Sequence, residues 1–194
     1  NLSVALAANS KNDSLRVLVY NALGTSYLQK GEKLLGFRNF LEALNIAEET
    51  GSIWLLESCN SRMSTFYNSL EEYEKAKDYQ FRNAQLQIAN NKPYELLDTY
   101  ISIGNLYVRT KQYDQAKKYY EKSIALSDSL KFHVYKFNGY IQIVNMYLSN
   151  KEYQKGLDYF NAHSELKNFM IKSGLDYLLD HSYAAMYTLT NLQD

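Results

Sequence analysis

Covalent and conformational constraint is scarce in this chain, which carries one cysteine and one proline in 194 residues. A single thiol, Cys59, can form no internal disulfide, so no oxidative framework supports the fold. Net charge is missing as well. With 21 basic and 21 acidic residues, the chain lacks the electrostatic drive that sequence-independent binding to phosphate backbones requires, and no nucleic acid is expected as a ligand. Long apolar runs are also absent. Stretches such as Ile53 to Leu56 fall far short of the roughly 18 residues that cross a bilayer, and no membrane contact is expected of this fragment. No secretory leader pattern is visible at the first residue, Asn1. The compartment stays open, cytoplasmic by default or outside the membrane as the sensor region of a membrane-bound regulator.

Patterns that carry chemistry are equally sparse. His133, His163 and His181 do not stand at the spacing of a helical metal pair, and no histidine stands beside Cys59. No phosphate loop or dinucleotide glycine motif occurs. The expectation is a protein that is not an enzyme and holds no metal and no cofactor. Acidic pairs such as Glu48 with Glu49 and Glu71 with Glu72 read as solvated charge at helix ends and turns, and His163 as a partly buried polar residue rather than a ligand.

The chain does have a period. Tyrosine stands at Tyr27, Tyr67, Tyr107, Tyr147 and Tyr187, in steps of 40, and a branched aliphatic recurs in the same step at Leu6, Ile46, Leu86, Leu126 and Leu166. A period of this size marks units that cannot bury an apolar face alone and must stack on their neighbours. The units are expected at 13–52, 53–92, 93–132 and 133–172, with 1–12 the tail of a preceding repeat and 173–194 the first helix of a fifth. A piece of a longer array is the reading this suggests. Within a unit the apolar spacing is helical. Leu15, Val17, Leu18, Leu23, Tyr27 and Leu28 are followed by a break at Gly31 and Glu32, and then by Leu34, Leu35, Phe37, Phe40, Leu41, Leu44 and Ile46. That predicts a helical hairpin. Further breaks fall at 50–52, 70–72, 90–93, 111–112, 127–131 and 150–152, and Pro93 suits the first turn of a helix. The expected class is all-α, with nine complete helices and no strand.

The residues inside each unit resemble a named family. Tyr20, Leu23, Gly24 and Tyr27, followed by Gly36, Phe40 and Ala43, are similar to the tetratricopeptide repeat, as are Tyr100, Ile103, Gly104 and Tyr107 followed by Ala116, Tyr120 and Ser123. The second and fourth units depart further from the pattern, and the unit is 40 residues where the family's usual one is 34, the six extra residues falling after Ala43. The resemblance implies an α-solenoid, a right-handed superhelix of antiparallel helix hairpins, in which small residues such as Gly24, Ala76, Gly104 and Ala116 let helices approach closely. Of the 19 tyrosines, Tyr27, Tyr67, Tyr107, Tyr113, Tyr147 and Tyr153 recur at fixed repeat positions and read as packing rather than ligand stacking, the others mostly as amphipathic rim residues.

In this family the free face of each first helix lines a concave groove. The groove residues are expected to be Asn21, Thr25, Arg62, Thr65, Asn68, Asn105, Arg109, Asn138, Gln142 and Asn145, with Asp98 and Ser102 on the same face. Side-chain amides offer donors and an acceptor together, which suits an extended peptide backbone whatever its sequence. The lysines with which some members grip carboxyl tails are replaced by Asn21, Ser61, Ile101 and Ile141. The function implied is a peptide- or protein-binding module, the sensing or scaffold part of a larger bacterial regulatory protein. The alternative is a structural array that forms homo-oligomers through its terminal helices, around Leu175, Tyr177, Leu178 and Leu179.

Overall fold

The computed structural model describes residues 10–163 together with 165, 168 and 172. Among the described residues there are eight α-helices and no strand. They are α1 (Asp13–Gln29), α2 (Lys33–Thr50), α3 (Ile53–Ser69), α4 (Tyr73–Ala89), α5 (Pro93–Arg109), α6 (Tyr113–Ser129), α7 (His133–Ser149) and α8 (Tyr153–Ala162). First helices start at Asp13, Ile53, Pro93 and His133 and second helices at Lys33, Tyr73, Tyr113 and Tyr153, so a new helix begins every 20 residues. The expected repeat tail as far as residue 9, the ninth helix in 173–194, Leu166, Tyr187, His181 and the leucines at 175, 178 and 179 lie outside the described residues.

Each connection is made by one residue in the left-handed region. These are Gly31, Gly51, Glu71, Asn91, Lys111, Lys131 and Lys151, again 20 apart, with φ between 51° and 81°. After each first helix the turn closes in the same way. The N–H groups of Glu32, Glu72, Gln112 and Glu152 donate to the carbonyls of Tyr27, Tyr67, Tyr107 and Tyr147 at 2.9, 3.0, 2.9 and 3.0 Å. This six-to-one bond satisfies a carbonyl that the helix leaves free at its end. The periodic tyrosine thus has a main-chain role as well as a side-chain one.

The chain forms two compact units, Asn1–Lys92 and Pro93–Asp194. In the first, α1 to α4 enclose Val17, Phe40, Leu44, Ile46, Leu55, Cys59, Met63 and Phe66. Gly24 is where α1 meets α2, and a Cβ there would stand 2.6 Å from the Phe40 ring. One period later Ser64 takes that position, and its hydroxyl donates to the Ala76 carbonyl at 2.9 Å. In the second unit, α5 to α8 enclose Ile101, Ala116, Tyr120, Ile143 and Met146, adjoined by Phe137, Tyr140, Val144 and Phe160. Gly104 repeats the glycine contact, and a Cβ on it would lie 2.4 Å from the Tyr120 ring.

Among the described residues, tyrosines pair inside their own hairpins. Tyr67 stacks on Tyr79 with centroids 5.7 Å apart, Tyr107 stacks on Tyr119 at 5.5 Å, and Tyr147 meets Tyr159 at 6.2 Å. Lysine ammonium groups cap two of these pairs, Lys75 over Tyr67 and Lys122 over Tyr119. His163 packs between Tyr140 and Tyr159, at 4.2 and 4.3 Å.

Candidate functional site

In the first unit the expected groove residues come from α1 and α3. Arg62 and Thr65 are exposed, while Thr25 and Asn68 are half-buried. The threonine hydroxyls are bound within their own helices, Thr25 to the Asn21 carbonyl at 2.9 Å and Thr65 to the Ser61 carbonyl at 3.0 Å. Asn21 corrects the sequence-based expectation. It is 4% exposed and turns inward, its amide donating to Cys59 Sγ at 3.6 Å. The cause is Cys59, a small side chain on α3 that leaves room for the amide and gives it a weak acceptor. Burial in turn pushes the Cys59 thiol up from 9.0, with the Asn21 hydrogen bond opposing, so the sulfur is packing rather than a nucleophile.

In the second unit α5 presents Asp98, Ser102, Asn105 and Arg109 at steps of four, three and four, one stripe of a helix. α7 presents Asn138, Gln142 and Asn145 at the same register. Asp98, Asn105, Arg109 and Asn145 are exposed, and Ser102, Asn138 and Gln142 are half-buried. Gln142 Nε2 donates to Asn138 Oδ1 at 3.1 Å, so these two amides support one another. Asn105 is held from beneath by Tyr120, whose hydroxyl donates to Asn105 Oδ1 at 2.7 Å. The Tyr120 ring is 1% exposed, and burial drives its phenol well above the usual value of 10.0, which keeps it a donor. Among the described residues the amide nitrogen of Asn105 has no acceptor, which leaves both of its N–H groups without a protein partner.

Sequence reasoning missed the aromatic group at the start of this stripe. Tyr135 donates its hydroxyl to Asp98 Oδ2 at 2.8 Å, Phe132 packs on Tyr135 with centroids 4.9 Å apart, and Tyr94 packs on Phe132 at 5.8 Å. Tyr94 is 55% exposed and Phe132 36%. Burial, then the Asp98 hydrogen bond and charge, push the Tyr135 phenol up. One signal was present in the sequence. Trp54, Tyr94 and Val134 are large apolar residues 40 apart at the second position of a first helix, and all are more than half exposed.

A separate cleft of about 550 Å³ opens at the turns that follow α5 and α7, with Lys111, Lys117, Met146, Tyr147, Glu152 and Lys155 among its walls. Its charges are largely used internally, since Lys155 pairs with Glu152 at 2.6 Å and Lys117 approaches Glu121 at 3.9 Å. Among the described residues no cluster of three His, Cys, Asp or Glu could hold a metal ion, and no helix is long and apolar enough to cross a membrane.

The tetratricopeptide repeat model matches residues 97–129, most of α5 and the whole of α6. Solved structures agree on the fold. A signal transduction ATPase with numerous domains that carries a tetratricopeptide repeat sensor, from Pyrococcus horikoshii, superposes with a TM-score of 0.75 at 13% identity, over 96% of this chain and 28% of that one. Aspartyl phosphate phosphatase F from Bacillus subtilis gives 0.73 at 17% identity, over 98% of this chain and 53% of that one. The kinesin light chain-like repeats of Podosopora anserina give 0.71 at 13%, over 88% and 84%. No curated protein sequence matches the chain. At these identities the shared property is the fold, an all-helical tetratricopeptide-repeat array, and the chain spans only about a quarter of the first structure and half of the second.

Proposed function

We propose that this chain is a peptide- or protein-binding repeat module, the sensing or scaffold part of a larger regulatory protein, and that in its second unit the ligand lies along the exposed face of α5 and α7. One observation carries the reading. Asn105 and Asn145 occupy the same repeat position on two successive first helices, both exposed, and Asn105 is fixed by Tyr120 so that its amide hydrogens face outward. Main-chain carbonyls of an extended segment accept such donors irrespective of the segment's sequence. Arg109, at the far end of the stripe, supplies a guanidinium for an acidic group. In the first unit Arg62, Thr65 and Asn68 offer a smaller polar face of the same kind. The similar structures include a repeat described as a sensor, which agrees with a regulatory setting.

The test is calorimetry of a captured peptide against wild type and Asn105→Ala/Asn145→Ala. Loss of two hydrogen bonds should weaken binding tenfold or more while the helical spectrum is unchanged. Equal affinity in a folded double variant sinks the proposal.

A second reading has its own support. The first hairpin exposes Leu15, Leu18 and Leu34 at 42%, 46% and 64%, with Leu35 and Leu41 close to 40%, apolar surface suited to stacking another repeat or another copy. Sedimentation of wild type and Leu18→Glu/Leu34→Glu distinguishes the two. Concentration-dependent association that the charged variant abolishes favours a stacking array.

A further inference from the structure

The stripe on α5 has a direction. At its start stands a carboxylate beside an aromatic group, and at its end a guanidinium. Asp98 receives one hydrogen bond, from the Tyr135 hydroxyl on Oδ2, and among the described residues neither Asp98 nor Arg109 has an ion-pair partner. The stripe between them, Ser102, Asn105, Asn138, Gln142 and Asn145, carries uncharged amides and a hydroxyl, with the buried Ile101 and the half-buried Ile141 beside it. We propose that this face binds an extended segment of opposite polarity, with a lysine or arginine seated on Tyr94, Phe132 and Tyr135 against Asp98 and an aspartate or glutamate about five residues away on Arg109. The proposal rests on the peptide-binding reading above and adds to it the ligand's charge pattern and spacing.

The physical case starts from the aromatic group. Tyr94 and Phe132 expose 55% and 36% of their surface although they pack on one another, so ring surface remains open to water beside a carboxylate. Aromatic faces attract a cation through their quadrupole, and a carboxylate at their rim neutralises it, so an apolar side chain would leave Asp98 unused. The Tyr135 hydrogen bond restrains the carboxylate and leaves Oδ1 with its lone pairs free. At the other end Arg109 sits in the last turn of α5. The helix dipole favours a cation there without occupying its five donors, which match a carboxylate in two-point geometry.

The spacing follows from helix geometry. Eleven residues separate Asp98 from Arg109, and at about 1.5 Å per residue the two side chains spring from points roughly 16 Å apart. An extended segment advances about 3.3 Å per residue, so the charges that meet them stand about five residues apart. The amides of Asn105 and Asn145 fall between, where the segment offers only its backbone.

The experiment is selection of randomised ten-residue peptides displayed on phage against the whole chain. Enriched peptides are then measured by fluorescence anisotropy against wild type, Asp98→Asn, Arg109→Gln and Asn105→Ala/Asn145→Ala. Asparagine at 98 still accepts the Tyr135 hydroxyl, and Arg109 is exposed, so both single variants keep the fold. The expected result is enrichment of a basic and an acidic residue about five apart. Asp98→Asn should weaken binding about tenfold, and replacing the basic peptide residue by methionine should cost nothing further in that variant; Arg109→Gln pairs with the acidic residue in the same way. Peptides that lack the charge pair, or that bind both single variants as well as wild type while still losing affinity to the asparagine double variant, overturn the charge pattern and leave the groove. Failure to enrich any peptide, or indifference to all the variants, overturns both.

Discussion

Replacing Gly104 by alanine should destabilise the second unit even though alanine is the better helix former. Gly104 lies inside α5, where glycine costs about 1 kcal/mol relative to alanine through backbone entropy. Taken alone, that term predicts a gain. The added methyl, however, would stand 2.4, 2.7 and 2.9 Å from three carbons of the Tyr120 ring, well inside the roughly 3.5 Å at which carbon atoms rest. Tyr120 is 1% exposed and tied by its hydroxyl to Asn105, so the ring cannot swing into solvent to make room. Overpacking of a tight core costs about 1 to 3 kcal/mol, and a ring that cannot leave puts this case at the upper end, for a net loss of about 1 to 2 kcal/mol. Tyr120→Ala is expected to cost about 3 to 5 kcal/mol by cavity formation. With the ring gone, Gly104→Ala should become neutral or stabilising, so the two changes couple by about 2 kcal/mol. Urea denaturation followed by far-ultraviolet circular dichroism gives all four corners of the cycle. Additive losses, or a Gly104→Ala protein more stable than wild type, would show that the glycine is not there to admit the ring.

Lys111 adopts φ 57°, a conformation that costs a side chain about 1 to 2 kcal/mol; Lys111→Gly should therefore raise stability by about 0.5 to 1 kcal/mol, read as a higher urea midpoint. Stability should fall as pH rises above about 10. The Tyr120 and Tyr159 phenols are pushed up by burial, so the unfolded chain loses those protons first while the folded one holds them; the stabilisation is complete below the ordinary phenol value of 10.0 and is lost above it. Tyr120→Phe should flatten that decline between pH 9 and 11 relative to wild type. An unchanged slope would mean that Tyr120 ionises as freely in the folded chain as in the unfolded one.

The 40-residue phase is legible because the tyrosine at the end of each first helix does two jobs at once. Its carbonyl closes the turn, as those of Gln87 and Ser127 do after second helices, and it is the half-buried ring, packed within the hairpin at Tyr67, Tyr107 and Tyr147, that favours tyrosine there. The turns themselves are less legible. Gly31 and Gly51 announce a left-handed residue and Asn91 tolerates one, but Glu71, Lys111, Lys131 and Lys151 do the same work at some strain, and nothing in a charged residue signals it. The candidate site was read from helix position, which places exposed residues well where the neighbour is large. At Asn105 the neighbour is Tyr120, which fills the space beneath and keeps the amide outside. At Asn21 the nearby residue on α3 is Cys59, small enough to let the same side chain turn in. Helical register alone does not distinguish these cases, since the difference lies 38 residues away. The aromatic group at Asp98 was hidden for a related reason. Phe132 lies one residue past the expected break at 127–131 and just before α7, where helical register assigns it no face.

The measurement that bears most directly on the account is an amide chemical-shift map of the chain titrated with a peptide selected for binding. The account predicts that saturable shifts concentrate on Asp98, Ser102, Asn105 and Arg109 of α5 and on Asn138, Gln142 and Asn145 of α7, and that the side-chain amide signals of Asn105 and Asn145 move with them. Shifts confined to the turn cleft around Lys111 and Lys155, or to the exposed leucines of α1 and α2, would contradict it.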